Sequence, residues 1–417
     1  MFTSPDGAVN RFLELQGGFR LSADRPRVPA SASSLGVGET LSELRQVIED
    51  AGGFVSPDLV VRERRGEFFC ALAADALHPR LLLSYEEVLA VPLRQITWSA
   101  SGATLVVESG LECLSTVQRH LLDLWLELVT QTDKLASVRR NVPSVALAHA
   151  PTRTHLAAGG YPDLAEAPDP DDAAQILLGW HSSGGRQQWL AAGSSTQSEV
   201  GIARRRPEAR WRLIPLKSFV NHHPDGAPQV PIPGQFAVVT SPISNEVETF
   251  ENYGDLDALH LLMRFGYVDS TARVVHSVPV EVASPHLGTL AIGRNPPRTP
   301  RQALSMNELA GIRRTEAGVL LGYLSARPGN RATVVALLAM LLQSAGGLRP
   351  GEAPRAAEQL VDDIAAANLR YYLELEALVD QADQTSLAAG ESPPPIHDAV
   401  RQVSMRQRQR LSAMWGT

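Results

Sequence analysis

The sequence predicts an α+β protein whose C-terminal part is all-helical. Three observations carry this. Short strand-like runs crowd the first hundred or so residues, more of them return after residue 210, and beyond residue 300 only helical patterns follow. The order divides the chain into an N-terminal extension (1–38), a first strand-bearing part (39–110) and a helical and loop insertion (111–210). A second strand-bearing part (211–294) and a helical region (295–417) complete it.

Each element has its own signal. Residues 1–38 mix short apolar pieces with Pro, Ser and Gly, which predicts little regular structure. Residues 39–53 read as an amphipathic helix, with Leu41, Leu44, Val47 and Ile48 at helical spacing and Gly52-Gly53 as its stop. Strand signals follow at 59–63, 67–73, 80–85 and 103–109. Residues 115–131 predict a strong helix, with Val117, Leu121, Leu122, Leu124, Trp125 and Leu128 on one side. The Pro, Gly, Ala and Asp of 151–175 predict a connection without an element of its own. Residues 235–243 read as a strand and 256–268 as a short helix running into Gly266. The Pro-rich stretch 295–300 predicts a boundary, with helices after it at 330–347, 352–384 and 396–415. Leu337, Leu338, Leu341, Tyr371 and Leu375 supply apolar positions there for packing on the first part or on a second copy.

Composition narrows the function classes. The 417 residues are 44% hydrophobic, enough for two or three cores, and the net charge of -7 argues against a nucleic-acid partner. Cys70 and Cys113 are the only cysteines and no CxxC occurs, which points to a reducing, cytoplasmic setting. The N-terminus lacks the basic and apolar regions of a signal peptide, and the longest apolar run, Val334 to Leu342, is too short to span a bilayer. No membrane association is expected.

Several chemistries lack their residues. There is no HExxH, and the adjacent pair His222-His223 would face opposite ways in a strand, so no metal site is expected. No GxSxG marks a serine nucleophile. The glycines of 182–186 have neither a Walker lysine nor GxGxxG spacing. The basic runs 204–212 and 406–410 and the acidic run 168–172 read as solvated surface.

An ordered series of short motifs is more informative. "GGFVSP" (52–57) leads into the first strands, and "LIPLKSFVNHHPD" (213–225) follows the insertion. Then come Tyr253-Gly254, a short helix and Phe265-Gly266-Tyr267. This series resembles the SET-domain methyltransferases of the Rubisco large-subunit lysine methyltransferase type. It runs in order over roughly 40–415, with a poor match across 130–210. The resemblance implies a SET fold of short strands with an inserted segment, one segment threaded through a loop of another, and an all-helical substrate-binding domain behind it. It implies S-adenosylmethionine as cofactor and a lysine amine of a protein as acceptor, with a small-molecule amine as the other option. Tyr253 would then stand at the methyl-transfer centre. Asn221, His222 and Gly66 would contact the cofactor, and Phe265, Tyr267 and Ser218 would line the substrate channel. His223 has no role in this pattern and reads, with Pro224 and Asp225, as the turn leaving the clasp.

The series also departs from the family. Where a Gly-x-Gly is usual, Gly66 is followed by Glu67, Phe68 and Phe69. Ser218 stands for an aspartate, and the family's Tyr-Gly-Phe is reordered to Phe265-Gly266-Tyr267. The arginine expected to hold the cofactor's carboxylate has no clean counterpart, with Arg204, Arg205 and Arg206 as substitutes. Two readings therefore stand: a working N-methyltransferase, or a SET-fold protein that has lost methyl transfer and uses its pocket for recognition or other chemistry.

Overall fold

The structure is a computed structural model. It describes residues 35–64, 67–72, 81–92, 95–101, 104–132, 134–165, 212–213, 216–228, 235–239, 248–252, 255–294 and 309–416. These fall into two compact units, one ending at Val138 and resuming over 212–252, the other comprising 139–165 and everything from Asp255 onward.

The first unit begins with helix α1 (Leu35–Asp50). It starts earlier than the periodicity predicts because Val37 is buried, which outweighs the low helix propensity of Gly36 and Gly38. Gly52, at φ 85, then turns the chain into strand β1 (Phe54–Val55). Arg45 fastens the junction by donating from Nη2 to the carbonyl of Val55 at 2.9 Å. Strands β2 (Leu59–Arg64) and β3 (Glu67–Leu72) form an antiparallel pair in the register Leu59 to Leu72. β4 (Leu81–Glu86) is the centre of a three-stranded sheet. Further short strands are β5 (Val91–Pro92), β6 (Thr97–Ser101) and β7 (Thr104–Ser109). Helix α2 (Thr116–Gln131) follows, closed at its start by a capping box between Ser115 and Gln118. It buries Leu121, Leu122, Leu124, Trp125, Leu128 and Val129; of the stripe expected from the spacing only Val117, near the helix start, is left half-buried, and Val129 is added. The chain returns as β8 (Arg212–Leu213), β9 (Asn221–Pro228), β10 (Gln235–Val239) and β11 (Phe250–Asn252). β1 and β10 both pair antiparallel with β4, while β11 runs parallel to β9.

In the second unit, helix α3 (Ala150–Ala158) occupies ground where the sequence predicts only a connection. Pro151 suits the first helical turn and lacks only an N–H that would be unsatisfied anyway, and the loop signals Gly159 and Gly160 lie just beyond the helix end. Helix α4 (Ala258–Phe265) opens on Asp257, which accepts from the backbone N–H of His260, and closes on Gly266 at φ 71. Strands β12 (Val275–His276), β13 (Val280–Ser284) and β14 (Gly288–Ile292) follow.

The expectation of helices alone beyond residue 300 needs correction. β15 (Leu309–Ala310), β16 (Arg313–Arg314), β17 (Gly318–Leu321) and β18 (Tyr323–Ala326) precede the helices, and β17 pairs parallel with β14. The all-helical part begins with α5 (Arg331–Gly346) and continues through α6 (Ala353–Ala388) and α7 (Pro395–Trp415). Leu338 and Leu341 sit in one apolar core with Trp415, and Tyr371 and Leu375 in another with α4. These predicted apolar positions are thus consumed inside their own unit. The α+β class with an all-helical C-terminal part stands, with that part starting at Arg331. No helix among the described residues is long and apolar enough to cross a membrane.

Candidate functional site

The sequence motif at 213–225 reaches its site through an unusual backbone turn. Leu216, at φ 60, is the one non-glycine residue with positive φ among those described. For a branched side chain this costs of order 1–3 kcal/mol and persists only where the surroundings enforce it. Those surroundings are visible: Leu216 is buried, and its carbonyl faces the buried thiol of Cys70 at 3.9 Å. A short 3₁₀ turn (Lys217–Phe219) follows and delivers the chain into β9.

Phe68 and Phe69, the residues standing where small ones are usual, are both buried, on opposite faces of β3. The ring of Phe68 lies 4.7 Å from that of Phe219, so it is spent on holding the 3₁₀ turn against β3. Cys70, on the same face of β3, is held far above its ordinary pKa by burial and by the carboxylates of Glu248 and Glu251. It is an inert core thiol.

Two carboxylates ahead of Tyr253 tie the motif together. Lys217 donates from Nζ to both oxygens of Glu251 at 2.9 and 3.0 Å, a pair with side chains only 13% and 2% exposed. Asn221 donates from its amide Nδ2 to Glu248 at 2.7 Å. The backbone N–H of Thr249 donates to the carbonyl of Cys70 at 2.8 Å, which fixes the same segment to β3. Phe250 lies opposite Asn221 in the parallel pair, and the next step jumps to Glu251 opposite Ala227. Residues 222–226 thus arch away between two paired positions. Gly226 makes the close approach feasible, because a Cβ there would sit 2.6 Å from the carbonyl carbon of Glu251. Asn252 donates from Nδ2 to the carbonyl of Pro224 at 2.8 Å and closes the arch.

This corrects the expected turn at His223-Pro224-Asp225: the segment is an arched, extended strand. Its two ends pair with β11, at Asn221 and at Ala227-Pro228, and the bond from Asn252 to Pro224 ties the arch between them. The side chains alternate as a strand requires, with Asn221 exposed, His222 buried and His223 half-buried. His223 accepts from the backbone N–H of Asp225 at 3.1 Å and its ring lies 5.4 Å from Phe250.

The structure therefore brings Asn221 and His222 together with the strand that leads to residue 253. Tyr253 itself, Gly66 and Arg204 to Arg206 lie outside the described residues. Ser218 falls in the 3₁₀ turn beside Lys217. Phe265 and Tyr267 belong to the second unit, with ring centroids 6.3 Å apart, Phe265 half-buried and Tyr267 exposed. Among the described residues no three His, Cys, Asp or Glu side chains are placed to hold a metal ion.

The second unit holds a buried polar cluster of its own. Asp257 is fully buried and accepts from Nη2 of Arg294 at 3.2 Å on both oxygens, and from the backbone N–H groups of His260 at 2.6 Å and His276 at 3.0 Å. Burial alone would raise its pKa, but Arg294, His276 and His260 outweigh that and hold the carboxyl below its ordinary value. Arg294 also donates to the carbonyl of Gly159 at 3.3 Å and lies 4.6 Å over the ring of Tyr161. His276 bonds through Nε2 to the carbonyl of Asp255 at 2.8 Å and through Nδ1 to the hydroxyl of Tyr323. The backbone carbonyl can only accept, so His276 donates to it from Nε2, while its Nδ1 faces a hydroxyl that can donate or accept. Burial lowers the pKa of His260 and of His276 and so disfavours the charged form of both rings.

Sequence reasoning missed Lys217, Glu248, Glu251 and Arg294. The available signal was a charge in an apolar context, as in "PLKSFV" and "ETFENY". Asp257 was readable as a helix cap from its place before "ALHLLM".

No family model and no curated protein sequence matches the chain. Similar solved structures include the SET domain of LSMT bound to lysine and AdoHcy, at 10% identity and a TM-score of 0.39, covering 92% of this chain and 91% of that one. The same domain bound to MeLysine and AdoHcy matches at 11% identity and a TM-score of 0.42, covering 93% and 92%. Rubisco LSMT bound to AdoMet matches at 10% identity and a TM-score of 0.35, covering 90% and 91%.

Proposed function

We propose that the protein is an S-adenosylmethionine-dependent N-methyltransferase of the SET type, acting on a lysine amine of a protein. One observation carries this reading: Asn221 and the strand that runs into Tyr253 are neighbours, with Phe250 paired opposite Asn221. The motif series requires its clasp and its transfer-centre tyrosine to meet, although 31 residues of chain lie between them.

The residues around the clasp suit such a cofactor. Asn221 is exposed and presents an amide, whereas the bulky Phe68 and Phe69 are turned into the core. Bound S-adenosylmethionine would supply an electrophilic methyl group. The chain's task is then positional: to bring a neutral, desolvated amine into line with that methyl. In this reading Asn221, His222 and Gly66 hold the cofactor, and the hydroxyl of Tyr253 orients the amine. Phe265, Tyr267 and Ser218 take the channel roles that the resemblance gives them.

The test is release of S-adenosylhomocysteine in the presence of lysine-bearing proteins, with small amines as a parallel arm. Tyr253→Phe should abolish release while leaving cofactor affinity unchanged; undiminished release would mean that Tyr253 is misassigned. The second reading, a SET fold without transfer, is favoured by the replacement of Gly-x-Gly with Gly66-Glu67-Phe68. Cofactor binding with no release on any amine would select it.

A further inference from the structure

The contact between Asn221 and Glu248 supports an inference that rests on the reading above. A carboxylate only accepts hydrogen bonds, so the group Asn221 turns toward Glu248 must be its NH₂, as the 2.7 Å contact from Nδ2 has it. The planar amide then points its Oδ1 away from Glu248, and Asn221 as a whole is exposed. Without Glu248 the amide could rotate by half a turn and offer a donor where it now offers an acceptor.

Glu248 is itself well placed for this duty. Thr249 is bonded to the carbonyl of Cys70 at 2.8 Å, and Phe250 is paired with Asn221. The backbone carrying Glu248 is therefore held on one side by β3 and on the other by the strand it serves.

We propose that Glu248 is a positioning residue for the cofactor clasp. It sets the amide of Asn221 so that Oδ1 faces an N–H donor of the bound cofactor. Glu248 touches no reacting atom in this role, and acts only through Asn221.

Calorimetric titration of the full chain with S-adenosylmethionine tests this, using Glu248→Ala, Glu248→Gln, Asn221→Ala and the double variant Glu248→Ala/Asn221→Ala. Glu248→Ala should weaken binding about tenfold, the equivalent of one hydrogen bond of ~1.4 kcal/mol. In the Asn221→Ala background the same change should have almost no further effect. Glu248→Gln, whose amide oxygen still accepts, should recover most of the affinity. A general structural role would instead weaken binding equally in both backgrounds and lower the melting temperature, and that result would overturn the proposal. So would wild-type affinity in Glu248→Ala. If the wild-type chain binds no S-adenosylmethionine at all, the methyltransferase reading falls and takes this inference with it.

Discussion

Replacing Arg294 with methionine probes the strongest electrostatic feature of the second unit. The substitution keeps an unbranched, largely apolar stem but removes the guanidinium, and with it the charge and the contact over the ring of Tyr161. Asp257 would then remain fully buried with only the N–H groups of His260 and His276 as donors. Breaking a buried pair from one side costs about 3–5 kcal/mol, because the other charge is left without its partner. The two retained hydrogen bonds argue for the lower end, about 3 kcal/mol. For a unit of 150–250 residues, 1 kcal/mol moves the melting temperature by roughly 2–4 °C, so a fall of about 6–12 °C is expected. Circular dichroism melts at pH 7 measure it.

The pH dependence supplies an internal check. Asp257 has a depressed pKa when folded, so its stabilisation is present above the unfolded carboxylate value of about 3.9 and is lost as pH falls through the folded value. The gap between wild type and Arg294→Met should therefore close in acid. A melting shift under about 2 °C at pH 7 would refute the reasoning, since it would mean that Asp257 is solvated or protonated.

Other consequences follow from the same structure. Burial disfavours the charged forms of His260 and His276, so the unfolded chain takes up protons below about pH 6.5 before the folded one does. Stability should fall between pH 7.5 and 5.5 by up to about 3 kcal/mol for the two together, and a flat profile in chemical denaturation would contradict this. Cys113 is exposed and Cys70 buried, so a thiol reagent at neutral pH should label one cysteine per native chain and two after unfolding. Rapid labelling of both in the native chain would mean that the β3 region opens easily. Phe68→Ala should cost about 3–5 kcal/mol through the cavity left against Phe219, measured by urea unfolding; a loss under 1 kcal/mol would mean that the ring does not pin the turn.

Local signals were legible in the sequence and long-range pairings were not. The stripe from Leu121 to Leu128 and the Gly266 end of α4 depend on neighbours within one or two turns, so spacing alone reveals them. The strands β15 to β18 escaped because they are two to four residues long, too short for any period to register. Helix α3 escaped because the glycines and prolines just after it dominate the composition of its window.

The site divides in the same way. A motif series singled out Asn221 and His222, and Asn221 is paired opposite Phe250 on the strand that leads to residue 253. The pairs that tie this segment together, Lys217 with Glu251 and Asn221 with Glu248, span 34 and 27 residues. No local rule couples charges at that separation. Whether two phenylalanines after Gly66 enter a cleft or the core likewise depended on Phe219, about 150 residues away, which holds Phe68 inside.

The most direct test of the central claim is calorimetric titration of the purified full chain with S-adenosylmethionine. The account predicts saturable binding at one site per chain, weakened by Asn221→Ala. Absence of heat and of any thermal shift at millimolar cofactor would contradict it.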